Sequence, residues 1–144
     1  MNGAPEWTAE MSVGNDAIDR QHRDLFGLIA VVVELAAKPE LASADEATID
    51  RAFKVLRDYV QFHFRDEEGL MAEVGYPDLI LHTEEHCVFT EWLRVLEDTR
   101  RSPGTSSSDM LRHMSSYLAS WLTDHILGSD KRYAPYLKGK KSSP

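Results

Sequence analysis

The sequence predicts an all-α fold, an up-down-up-down four-helix bundle with an irregular amino-terminal arm. Four segments repeat apolar side chains at three- and four-residue steps, the spacing of one helix face. Short stretches rich in Gly, Pro and Ser separate them, and nothing in the pattern calls for strands or hairpins. A chain of 144 residues, 42% apolar and 28% charged, fits one domain over residues 1–144. It is long enough to bury roughly two-thirds of its unfolded surface.

The arm before the first helix carries Trp7, which is expected to lie over the bundle. The first helix spans about 18–37, with Ile18, His22, Leu25, Phe26, Ile29, Val33 and Ala36 on its stripe, and ends before Lys38-Pro39. The second spans about 44–74. It opens on Ser43-Ala44-Asp45-Glu46, which has the form of a capping box, presents Ile49, Phe53, Leu56, Val60, His63, Glu67, Leu70 and Val74, and stops at Gly75-Tyr76-Pro77. The third, about 78–100, is expected to be capped by Asp78 and lines up Leu79, His82, His86, Phe89, Leu93 and Leu96. A flexible serine-rich loop, residues 102–108, leads to the fourth, about 109–127, with Leu111, Met114, Leu118, Trp121 and His125 inward. Gly128 reads as the glycine just past its end. Short connections between amphipathic helices make antiparallel neighbours the economical arrangement. The tail, 138–144, is expected to be a mobile end carrying Lys138, Lys140 and Lys141.

The formal charge of -8, from 24 acidic and 16 basic residues, speaks against a general nucleic-acid binder or an anionic-membrane binder, both of which need a concentrated cationic face. The one cysteine, Cys87, excludes an internal disulfide and points to a reducing, cytoplasmic setting; as a side chain it is expected to be an ordinary packed thiol. The amino terminus lacks the charged and apolar regions of an export signal, and no run of about 18 apolar residues is present, so neither export nor membrane insertion is expected.

Six histidines are left to explain. His22, His63, His82, His86 and His125 all fall on the apolar stripe of their own helix, so the bundle would gather them in its core. Each buried imidazole without a polar partner would cost roughly 1 to 3 kcal/mol, and a metal supplies the missing partner. Residues four apart on a helix lie nearly one above the other, which pairs His63 with Glu67 and His82 with His86. His125 and Asp130, five apart, would diverge by about 140° in a continuous helix, so the chain is expected to break at Gly128 and fold Asp130 back. His113 is the control: it lies about 120° around the fourth helix from His125 and should stay at the surface.

Five imidazoles and two carboxylates exceed what one ion needs. Structural zinc takes four ligands, often thiolates, whereas imidazole with carboxylate suits iron or manganese in an octahedral pair, of which two irons fit best. If Glu67 and Asp130 each bridge two irons and an oxide or hydroxide also bridges them, about eleven of twelve octahedral positions are filled and one stays open. Carboxylate-rich di-iron sites favour O-O cleavage; a histidine-rich one should stabilise the diferrous state and favour O2 binding without cleavage.

His22 after Ile18-Asp19-Arg20-Gln21, His63-Phe64-Arg65-Asp66-Glu67-Glu68, Tyr76-Pro77, the pair His82 and His86, and His125 through Asp130 together resemble the hemerythrin family in its bacterial branch, over nearly the whole chain from Trp7 to about Leu137. That resemblance implies one iron held by His82, His86 and His125, a second held by His22 and His63 with the open O2 position, and Glu67 and Asp130 bridging them. It implies reversible O2 binding for carriage, storage or delivery by a monomer or weak oligomer, with O2 as the ligand and no enzymatic role. Glu68, Glu84 and Glu85 are expected to lie outside direct metal contact, and Phe26, Phe89, Trp92, Tyr117 and Trp121 to be core packing before they are walls of an O2 pocket. Rival readings of the same site are a peroxide or nitric oxide reductase, an O2 or redox sensor acting on a partner in trans, and iron homeostasis.

Overall fold

The computed structural model describes residues 3–138 and has no strand among them. A 3-10 turn, Ala9–Met11, precedes α1 (Asp16–Ala37), α2 (Ser43–Glu73), α3 (Leu79–Arg100) and α4 (Ser107–Asp124); a π-helical turn, His125–Asp130, then leads directly into α5 (Lys131–Lys138). α1 packs on both α2 and α4, and α2 packs on α3. The seam between α3 and α4 is filled by rings: Phe89 meets Trp121 at 4.3 Å between centres, and Trp92 stacks on Tyr117 at 3.9 Å. The arm lies over this bundle as expected, with Trp7 against the main core and the Arg23 guanidinium 4.8 Å above its ring.

Local chemistry starts and stops the helices, though not always with the residues expected. Asn15 caps α1 by accepting the Ile18 N–H, and Ser106 caps α4 by accepting the Asp109 N–H. At α2 the anticipated Ser43–Glu46 capping box does not form. The helix begins one residue earlier in register, so Asp45 is the third residue and its carboxylate accepts the Ala42 N–H at 2.8 Å. Asp78 stands at the N-cap of α3 but its side chain makes no capping bond. Gly75, at φ +69, supplies the left-handed turn that ends α2.

The inner stripes are close to those expected, with shifts of one residue at their ends. Val32 and Leu35 are buried on α1 where Val33 and Ala36 were expected, and Met71 replaces Leu70 and Val74 as the buried residue late in α2. A step of three or four residues serves equally well on a 3.6-residue turn, so the choice falls to the neighbouring helix. Leu79, Leu96 and Trp121 are half-buried. Cys87 is exposed rather than packed: one position beyond the buried His86 it turns about 100° outward. Lys138 ends α5 instead of opening a mobile tail, and the rest of the expected tail, 139–144, lies outside the described residues.

Gly128 does not break the chain. It has no positive φ, and the helix continues through it as a π turn, with the Lys131 N–H reaching back five residues to the Ile126 carbonyl. Where hydrogen bonds run from residue i to i+5, residues five apart come onto one face. His125 and Asp130 therefore meet by widening of the helix, not by its interruption.

Candidate metal centre

All seven residues singled out by the sequence are buried, and the bundle brings them together between the large apolar core and a smaller one formed by Val13, Ile18, Met71, Tyr76, Tyr133 and Ala134. Glu67, His82, His86, His125 and Asp130 form one donor group, and His22, His63 and Glu67 a second that shares its carboxylate. The two carboxylates divide their oxygens between these groups. Glu67 Oε1 lies 3.0 Å from His86 Nε2 and 3.4 Å from His82 Nε2, while its Oε2 lies 3.5 Å from His22 Nε2 and 3.8 Å from His63 Nε2. Asp130 Oδ1 lies 3.0 Å from both His82 Nε2 and His125 Nε2, while its Oδ2 lies 3.1 Å from His22 Nε2.

Residues around the cluster orient the rings. His63 Nδ1 donates to Gln21 Oε1 at 2.7 Å, and the Gln21 amide nitrogen in turn donates to Asp66, which fixes the amide as acceptor toward the ring. His86 Nδ1 donates to Glu68 Oε2 at 2.7 Å. Glu85 accepts the Ser129 hydroxyl and stands 3.6 Å from His125 Nδ1. Phe64 stacks on His86 at 3.8 Å and Trp121 on His125 at 4.4 Å, so aromatic faces also hold these two rings. Glu68 is thus bonded to the outer nitrogen of His86, Glu85 stands near that of His125 without a hydrogen bond, and Glu84 is exposed.

The donor set fits a cation. With its Nδ1 proton committed to Glu68, His86 turns the Nε2 lone pair toward His125 Nε2 at 3.2 Å and toward a Glu67 oxygen at 3.0 Å. Acceptors face one another there and need a shared positive charge. Buried atoms of His22, Glu67, His82, His125 and Asp130 also lack hydrogen-bond partners, although such groups are otherwise almost always satisfied.

The electrostatics express the same crowding. Burial acts to lower the His22 and His82 pKa values, but the carboxylates of Asp130 and Glu67 together outweigh it and push each up to about 9. His63, where burial dominates, is pulled down to about 4. Burial would raise Glu67 and Asp130, yet the surrounding imidazoles hold both well below the ordinary carboxylate range. The Tyr133 phenol is pushed far up by burial and by those carboxylates, so it stays protonated and donates to Glu67 Oε2 at 2.7 Å.

Tyr133 and Gln21 are the contacts that sequence reasoning missed. Tyr133 lies beyond the expected end of the fourth helix, on a helix reached only through the π turn; Gln21 precedes His22 on the flank of α1, where polarity signals nothing. His113 is exposed, as expected. Of the aromatics weighed as pocket walls, Phe89 and Trp121 line an apolar gap of about 10 Å³, about the space of one water, in keeping with packed core.

The model of the hemerythrin HHE cation binding domain matches residues 13–137. The chain is 36% identical over 135 residues to bacteriohemerythrin of Stenotrophomonas maltophilia (strain R551-3), covering 92% of this chain and 80% of that one. It is 32% identical to a hemerythrin-like protein of Naegleria gruberi, covering 88% of each chain. Among solved structures, a wild-type hemerythrin superposes with a TM-score of 0.76 at 28% identity, covering 92% of this chain and 97% of that one. A cation-ready cluster of histidine and carboxylate, built on this bundle and matched over nearly its full length, makes the chain a member of the hemerythrin family.

Proposed function

We propose that the chain is a non-haem di-iron protein that binds O2 reversibly, with His82, His86 and His125 on one iron, His22 and His63 on the other, and Glu67 and Asp130 between them. The observation that supports this reading is that each buried carboxylate turns one oxygen toward two of the rings of His82, His86 and His125 and the other toward His22, with His63 also near that of Glu67. Two irons bridged by an oxide or hydroxide would supply a reversible exchange of electrons with O2. The protein's own residues orient and enclose: Gln21 and Glu68 set the tautomers of His63 and His86, Tyr133 holds Glu67 in place, and Phe64 and Trp121 keep water from the ring faces of His86 and His125. With two imidazoles against three, the His22 and His63 side would hold its iron with fewer protein ligands and would be the side to take an exogenous ligand.

The role is binding and delivery rather than turnover, in a reducing cytoplasm, as a monomer or weak oligomer. No described helix is long and apolar enough to cross a membrane. Anaerobic loading with ferrous iron followed by alternating O2 and argon tests the reading. A visible absorption change that appears with O2 and reverses under argon, at two irons per chain, is expected; irreversible oxidation in one step would overturn it. Fast catalytic consumption of peroxide or nitric oxide with an electron donor would instead favour the reductase.

A further inference from the structure

Exposed apolar side chains gather on the outer face of α3. Nine large ones are exposed among the described residues, and four of them, Ile80, Leu81, Val88 and Val95, lie on this helix. Leu81, Val88 and Val95 are seven residues apart, so they form nearly one line along it, drifting only about 20° per step. Leu81 and Val88 are 61% and 62% exposed, while His82, His86, Phe89 and Leu93 turn into the core from the opposite face.

Two features point to a second copy of the chain as what covers this stripe. The first is its order. Leu81 precedes Val88 by the same seven residues by which Val95 follows it, and Ile80 and Leu96 extend the match by one position at each end. The apolar positions are therefore the same in both directions from Val88, as an antiparallel two-fold contact requires, because there residue i meets j and j meets i. The second is charge. Arg94 is exposed and bonds both Glu91 and Asp98, so it neutralises the acidic residues of its own half of the stripe, whereas Glu84 stands exposed in the other half. Antiparallel pairing centred on Val88 sets Glu84 opposite position 92 of the second copy, about 3 Å of helix from Arg94. Parallel pairing would instead set Glu84 against Glu84 and Glu91 against Glu91.

We propose that two copies of the chain pair antiparallel through the outer faces of α3, about a two-fold axis at Val88, with Leu81 of each against Val95 of the other and Glu84 of each against Arg94 of the other. One helix from each copy falls short of the roughly 1,200 Å² that stable complexes bury, so the dimer is weak and reversible. The pairing narrows the weak oligomer of the proposed function to one interface and does not depend on what the centre binds. Each paired helix carries His82 and His86 on its other face, so the dimer sets one centre on either side of the two α3 helices.

The test is analytical ultracentrifugation of the full-length, iron-loaded chain from micromolar to millimolar concentration, with iron content and thermal unfolding followed on the same samples. A reversible monomer–dimer equilibrium is expected. Val88→Asp should weaken it by about 100-fold or more, because the axis brings two unpaired carboxylates together, while iron content and melting temperature stay unchanged. The register is read by mild oxidation of two variants, Leu81→Cys and Val95→Cys, each combined with Cys87→Ser. Their mixture should form a disulfide-linked dimer, and neither variant should do so alone. A dimer indifferent to Val88→Asp, or one that Leu81→Cys links by itself, overturns the pairing. A chain that takes up iron and stays monomeric throughout overturns the pairing alone and leaves the stripe to a different protein, whereas a dimer that takes up no iron overturns only the metal reading.

Discussion

The two sides of the centre are oriented by different chemistry. On the side of His82, His86 and His125, the outer nitrogen of His86 donates to Glu68 at 2.7 Å, the Glu85 carboxylate stands 3.6 Å from that of His125, and two of the three rings are stacked under Phe64 and Trp121. On the side of His22 and His63, the holder is the neutral amide of Gln21, His22 Nδ1 has no partner, and a tyrosine hydroxyl takes up part of Glu67 Oε2. A carboxylate makes the imidazole it holds more basic, and an amide does so less. On the proposed two-iron reading, one side would keep its metal closed and electron-rich, and the other would leave it short of ligands. Reversible binding needs that inequality, because a ligand must find a place on one metal without unseating the other.

Removing what the two sides share should have the largest effect. Glu67→Ala is expected to lower both iron content and melting temperature, to below one iron per chain, by metal analysis and thermal unfolding of the same samples, since metal binding contributes folding free energy. The sides should then separate. His63→Ala leaves a single imidazole on its side and is expected to lose that iron while the other stays; His86→Ala leaves two and should weaken binding with less loss of stoichiometry. Equal losses in these two variants would erase the distinction.

Outer holders sharpen the comparison at smaller cost. Glu68→Gln keeps a hydrogen-bond acceptor but removes the charge and is expected to weaken iron binding by roughly 10- to 100-fold, the range found for such partners. Gln21→Glu should strengthen retention on the other side and slow ligand release. Chelator competition reads both.

Without metal, pH should distinguish individual histidines. His22 and His82 have folded pKa values raised to about 9 above the ordinary 6.5, so their stabilisation is complete below 6.5 and is lost as pH rises toward 9. His63, lowered to about 4, contributes in the opposite sense, its stabilisation present above 6.5 and lost as pH falls toward 4. The melting temperature of metal-free protein should therefore peak near neutral pH and decline on the alkaline side. The iron-loaded protein should not show the alkaline decline, because ligation requires neutral imidazoles. Gly128→Ala should change least: an added Cβ there meets nothing within 4 Å, and alanine is the better helix former, so a stabilisation of up to about 1 kcal/mol is expected with the π turn retained. Loss of iron in that variant would restore to Gly128 the special role expected of it.

Six of the cluster residues were legible because each sits on the apolar stripe of its own helix, and burying a stripe obliges its polar members to meet. The turn at Gly75 was legible for a similar local reason. Asp130 was found by a correct conclusion from a mistaken geometry, since a break at Gly128 and a π turn both deliver it to His125. Nothing local distinguishes them, because the choice depends on what His125 and Asp130 gain from neighbours on other helices. Tyr133 was out of reach for the same reason.

The sequence by itself determined the four bundle helices, most of their inward faces and the inventory of donors, since those follow from periodicity along one chain. Only the tertiary structure decided which carboxylate oxygen faces which imidazole, which side of the centre is held by charge and which by an amide, and that a tyrosine past the expected end of the bundle closes on Glu67. Those are distances between helices, and they are set by packing rather than by spacing.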